Sequence, residues 1–123
     1  RHMKLNYLVF GTNQMEAATG FYDSLFAEMG ATKLMTGERM TFWQGEGYTF
    51  ALALPFDENP ASNGNGTMAG FEAGSPEEVK RLHAKVLELG GSCEGEPGDR
   101  GPMYAAYARD LDSNKITFYT MTP

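Results

Sequence analysis

Apolar and polar positions along the chain follow one order of elements twice. Leu5 to Phe10 is an apolar strand-like run, and Asn13 stands three residues before Glu16, the spacing of a capping box that opens a helix. Ala18, Phe21, Tyr22, Leu25 and Met29 then recur at helical spacing and place one apolar stripe on a helix that Gly30 closes. Three strand patterns follow, Ala31 to Thr36, Met40 to Gln44 and Tyr48 to Leu54, with Gly37-Glu38 and Gly45-Glu46-Gly47 as turns.

The order repeats after the polar join Asp57 to Gly66. Thr67 to Phe71 reads as a strand, and Ser75-Pro76-Glu77-Glu78 as a capping box with proline at the first helical position. Val79, Leu82, Val86 and Leu89 form the stripe of a second helix, which Gly90-Gly91 ends. Ser92 to Glu94, Met103 to Arg109 and Lys115 to Thr120 are the closing strands, separated by a Pro97-Gly98 loop and by Asp110 to Asn114. The pattern therefore predicts an α+β chain of two βαβββ modules, about 3–57 and about 66–123. They would belong to one domain, 3–123, because the join is too short to tether independent bodies. Arg1-His2 before Met3 has the look of a tag remnant.

With 41% hydrophobic and 12% aromatic residues the chain can build a core. Its formal net charge of −6, with no Lys/Arg cluster, argues against nucleic acid as a partner. No apolar run reaches the roughly 20 residues of a membrane span. A lone cysteine excludes an internal disulfide, and a cytoplasmic location is expected.

Taken together, Asn13 to Gly30 with Phe21-Tyr22-Asp23, the strand Gly66 to Phe71, the pairs Gly90-Gly91 and Pro97-Gly98, and Arg109 to Asn114 resemble the vicinal oxygen chelate superfamily. That superfamily holds glyoxalase I, extradiol dioxygenases, fosfomycin-resistance enzymes and bleomycin-resistance proteins. Pro55-Phe56-Asp57, Pro60-Ala61 and Gly64-Asn65-Gly66 are further similar to a bacterial glyoxalase-like subgroup. The resemblance implies paired modules whose mixed sheets curl into a cup with helices outside, a ligand inside, and a homodimer.

In the superfamily's enzymes a divalent metal is held by histidine on the first strand, histidine or glutamate on the first strand of the second module, and glutamate on the last strand. Carried over, these positions fall on Tyr7, Met68 and Thr117, with Ala51 or Ala53 in the fourth-strand slot. A divalent site needs about three N, O or S donors. The expectation is a metal-free, cofactor-free cup. His83, on the second helix, is expected to be a packed or half-exposed helix residue and Cys93 a structural or incidental one, its thiolate disfavoured by Glu94 and Glu96.

The expected ligand-binding residues are Tyr7, Trp43, Met68, Arg100, Tyr104, Thr117 and Tyr119, a lining that suits a small aromatic or hydrophobic molecule. Which of Phe42 and Trp43, and of Tyr104 and Tyr107, face the ligand is open at this point. Alternation sends Ile116 and Phe118 toward the helices. Arg100 is either an anion clamp or a solvated loop charge, and the acidic balance would suit a cationic guest. Asp110 and Asp112 are expected to hydrogen-bond backbone amides in a turn.

Two function classes follow. One is a bleomycin-resistance-type binding protein, the other a metal-independent lyase or isomerase using a cup hydroxyl such as that of Tyr7, with no catalytic base identified. A ferredoxin-like sandwich is the alternative fold, disfavoured because it needs only two strands between its helices.

Overall fold

The computed structural model describes residues 2–123, so Arg1 of the proposed tag remnant lies outside the described residues. The chain divides into two compact units between Ser62 and Asn63, inside the polar join. No helix among the described residues is long and apolar enough to cross a membrane.

The first unit runs β1 (Tyr7–Gly11), α1 (Met15–Met29), β2 (Thr32–Thr36), β3 (Met40–Gly45) and β4 (Tyr48–Ala53). Its sheet has the order β1-β4-β3-β2, with β1 parallel to β4 and the other pairs antiparallel. The second unit repeats this with β5 (Met68–Glu72), α2 (Pro76–Glu88), β6 (Ser92–Arg100), β7 (Met103–Arg109) and β8 (Lys115–Met121), in the order β5-β8-β7-β6. The expected βαβββ modules are present, and three strands between α1 and β5 remove the ferredoxin-like alternative.

Each helix covers one face of its own sheet. In the first unit Phe21, Tyr22, Leu25 and Phe26 of α1 are buried, and Tyr22 and Phe26 meet Trp43 and Phe50 as a four-ring cluster with centroids 4.7–6.2 Å apart. Offset and edge contacts of this kind add to the stabilisation from apolar burial. Phe26 takes the buried place expected of Met29, which is only half-buried. Gly30 ends α1 at φ 78°, a left-handed turn that glycine adopts without strain, and Ala31 N–H reaches back to Phe26 O at 2.9 Å.

The start of α1 differs from the capping-box expectation. Gln14 is the N-cap and Met15 the first helical residue, while the Asn13 amide is engaged with Ala61 of the join. Thr12 Oγ1 accepts from Gln14 N–H at 3.0 Å. The second helix follows the sequence more closely. Ser75 Oγ accepts from Glu78 N–H at 3.2 Å, and Pro76 opens the helix. The Glu78 carboxylate takes both bonds of the Arg81 fork at 2.8 Å.

Val79, Leu82, His83 and Val86 of α2 are buried over Ala106, Ala108, Ile116 and Phe118, and Ala69 and Phe71 are buried in register beside the last two. Ile116 and Phe118 thus sit on the helix side, as alternation requires. At Gly91 any Cβ would collide with the carbonyl of Arg109 and with Val86, so only glycine lets the chain leave α2 this close to β7. The Pro97-Gly98 loop is not a loop. β6 continues through it to Arg100, made possible by two register shifts against β7.

Candidate functional site

With one face of each sheet covered by a helix, the opposite faces carry the site candidates. On the first sheet the open face follows from register. Tyr7 stands beside Thr49, and Val9 beside Ala51, which in turn neighbours Phe42. Tyr7 and Val9 are 56% and 43% exposed, whereas Leu8 and Phe10 alternate toward the helix side. On the second sheet one row reads Gly70, Thr117, Tyr107 and Gly95, and the adjacent rows hold Met68, Lys115 and Arg109, and Glu72, Tyr119 and Ala105.

Tyr107 is the centre of the second open face. The Arg100 guanidinium lies 5.7 Å and the Lys115 ammonium 5.4 Å from its ring centroid. Two cations on one ring form a pair of cation–π contacts and gather positive charge locally, whatever the sign of the whole chain. Arg100 is held there by the bulged strand, with its Nη2 donating to Glu96 O at 2.7 Å. Glycine at 95 and 98 leaves the guanidinium room, since a Cβ at either position would press against it. Beyond them Glu94 accepts from Arg109 at 2.9 Å, a bond that holds its carboxyl below the usual range.

Gly70 forms a low spot. A Cβ built on it would meet Thr117 Cγ2 at 3.3 Å and the Tyr119 ring at 3.6 Å, so the absent side chain leaves a floor walled by these two residues. Met68, 45% exposed, borders it. The expected residues Tyr7, Met68 and Tyr119 are thus on the sheet sides away from the helices, as is Thr117, though it is buried there, and Arg100 reaches one by folding over Tyr107.

Trp43 and Tyr104 turn the other way. Trp43 is 1% exposed within the ring cluster under α1, and its Nε1 donates to Asp23 Oδ1 at 3.0 Å. Tyr104 faces α2, where Lys80 Nζ lies 5.8 Å from its ring. Residues an odd number of positions along a strand take the other side, so Phe42, one before Trp43, and Tyr107, three after Tyr104, occupy the open faces. Glu72 is a residue the sequence reading missed. Counting two further along the Met68, Gly70 series would have found it, in register with Tyr119.

The residues expected at the superfamily's metal positions do not suit a divalent ion by their chemistry. Tyr7 offers a phenol and Met68 a thioether, while the Thr117 hydroxyl donates to Ala106 O at 2.8 Å and Ala51 and Ala53 offer methyl groups. None is a carboxylate, imidazole or thiolate, so nothing balances a divalent charge.

The Asp110 to Asn114 turn is structural. Buried Asp110 accepts through Oδ1 from the N–H groups of Asp112 and Asn114 at 2.9 Å, and through Oδ2 from Asn114 Nδ2 at 3.0 Å. In the first unit Thr12, Asn13, Arg39, Leu54, Pro55, Phe56, Glu58, Asn59 and Pro60 line an open recess of about 550 Å³. There Arg39 donates to Leu54 O at 3.0 Å and lies over the Phe56 ring.

Comparison with known proteins agrees with this architecture. Residues 4–118 match the model of the Glyoxalase/Bleomycin resistance protein/Dioxygenase superfamily. A glyoxalase/bleomycin resistance protein from Albidiferax ferrireducens is 34% identical, with a TM-score of 0.87 over 96% of this chain and 98% of that one. A family enzyme from Burkholderia phytofirmans shares the fold at 15% identity, with a TM-score of 0.82 over 98% and 100% of the two chains. Lactoylglutathione lyase from Agrobacterium tumefaciens does so at 18%, with a TM-score of 0.72 over 98% and 95%. Among curated proteins nothing matches. Two βαβββ units with open sheet faces, and a family match spanning both, lead to one assignment: the chain belongs to the glyoxalase/bleomycin resistance protein/dioxygenase superfamily.

Proposed function

We propose that this chain is a binding protein of the bleomycin-resistance type that takes a small, flat aromatic or hydrophobic molecule on an open, metal-free sheet face. The observation that carries the reading is the Tyr107 face. An aromatic ring, the Gly70 floor and the walls of Thr117 and Tyr119 supply flat contact, as ligand sites generally do. The Arg100 and Lys115 cations beside Tyr107 favour a guest bearing a carboxylate or similar anion. The local charge therefore outweighs the acidic total, which by itself would have suited a cation.

A metal-independent lyase or isomerase is the second reading, and Glu72 in register with Tyr119 favours it. That pair sets a carboxylate and a phenol side by side, a base and a proton donor for shifting a proton on a bound substrate. We also read the protein as a cytoplasmic homodimer, a reading supported by Leu34 and Met35 on the edge strand β2, each more than half exposed. Light scattering that gives one chain mass in solution would reject the dimer.

Native mass spectrometry of freshly purified protein tests the main reading. A co-purified organic mass, lost in Tyr107→Ala and in Gly70→Val, is the expected result. No organic mass, together with no thermal shift across a panel of aromatic carboxylic acids, rejects it. Turnover of a panel member that stops in Glu72→Gln would replace binding with catalysis.

A further inference from the structure

The second unit contains a group of metal-ligating side chains on the side of its sheet opposite to Met68 and Thr117, the positions expected to correspond to the superfamily's metal ligands. A ring nitrogen of His83, the Cys93 thiol and a carboxylate oxygen of Glu96 all lie within 4.8 Å of one another. Cys93 and Ala108 share a register position on the helix-facing side of the sheet, opposite to Thr117 and Tyr107. His83 comes to this side from the buried stripe of α2.

The backbone is shaped to make this cluster. In a regular strand residues three apart point to opposite faces. Between Cys93 and Gly95 on β6 the partner strand advances by a single residue, from Ala108 to Tyr107, so β6 carries an extra residue there. That shift reverses the alternation once and brings Glu96 to the same side as Cys93, with Sγ 3.4 Å from Glu96 Oε1.

Independently, His83 lacks what a packed histidine needs. The residue is 3% exposed, and its Nε2 is buried without a hydrogen-bond partner. A buried ring nitrogen left unpaired is destabilising, and native proteins rarely leave such groups so. A metal on this nitrogen would remove that cost.

We propose that His83, Cys93 and Glu96 bind a zinc ion. One nitrogen, one sulfur and one oxygen donor form the borderline set that Zn²⁺ accepts, with water in the fourth position. Metal–donor bonds of about 2.0–2.3 Å place tetrahedral ligand atoms roughly 3.3–3.8 Å apart. The side chains of exposed Cys93 and Glu96 close that gap by rotamer changes. Binding releases the thiol proton to solvent and leaves a thiolate on the metal, with no change of oxidation state. The ion would tie the bulge of β6 to α2, and the site is independent of the open-face ligand.

Cobalt titration of the full chain, free of any polyhistidine tag, tests the site. The expected result is a thiolate-to-cobalt charge-transfer band, displaced by one equivalent of zinc and absent in Cys93→Ser. Glu96→Gln and His83→Gln should each weaken binding roughly tenfold or more, since even outer-shell partners matter by about that factor. Glu96 is exposed, so its variant tests the site even if His83→Gln does not fold. No charge-transfer band in the wild type, or undiminished affinity in Glu96→Gln, overturns the proposal.

Discussion

The indole N–H of Trp43 donates to Asp23 Oδ1 at 3.0 Å, joining the centre of β3 to α1 across the aromatic cluster. Asp23 Oδ2 takes Lys33 Nζ at 3.0 Å, so the two oxygens serve a buried donor and an exposed one. The two bonds should differ in worth. Asp23→Ala leaves the Trp43 N–H unpaired and is expected to cost about 1–3 kcal/mol in urea unfolding. Lys33→Ala removes an exposed ion pair and should cost less than about 1 kcal/mol. Equal costs for the two variants would contradict this division.

Asn13 binds the backbone of Ala61 in both directions, with Oδ1 accepting from its N–H at 2.7 Å and Nδ2 donating to its carbonyl at 3.2 Å. The join is thereby pinned to the turn between β1 and α1. Asn13→Ala should reduce stability by about 1–2 kcal/mol and speed proteolysis between residues 57 and 62. Cleavage at the wild-type rate would mean that the join is held by its other contacts.

Acid should weaken the second unit through Glu94. Its bond to Arg109 depresses the carboxyl pKa in the folded state, so its contribution is present above the unfolded value of about 4.3 and is lost as pH falls through the folded one. A small difference in urea midpoint between wild type and Glu94→Gln is therefore expected at pH 7, closing on acidification and shrinking in high salt. A gap that widens on acidification has the wrong sign for this linkage.

Desolvation, the hydrogen bond to Glu96, and the charges of Glu96 and Glu94 hold the Cys93 thiol above its ordinary range. Alkylation by iodoacetamide in metal-free buffer should reach half its maximal rate above the usual thiol value of about 8.5. Glu96→Gln should move that midpoint downward. An unchanged profile would show that the carboxylate does not act on the thiol.

The helices and strands were legible because their signals are local. The stripe Val79, Leu82, Val86 at helical spacing, the Ser75 cap, and the alternation that sends Ile116 and Phe118 inward all follow from backbone periodicity. Asn13 was misplaced because its amide has a competing partner 48 residues away, which no local window contains. The continuation of β6 through Pro97-Gly98 was hidden for a similar reason. Those residues signal a turn, yet pairing with β7 and a bulge absorb them into the strand.

The candidate site divides along the same line. Sequence by itself determined the two modules, the family, and the unsuitability of Tyr7, Met68 and Thr117 as metal ligands, since all three depend on residue identity and order along the chain. Tertiary structure alone decided that Phe42 and Tyr107 hold the open faces while Trp43 and Tyr104 pack under helices, because a one-residue difference in strand phase exchanges the two sides. It alone also brought His83 to Cys93 and Glu96, by packing a helix over a bulged strand. Periodicity fixes which residues share a face, but only pairing and packing decide which face meets a helix and which stays open.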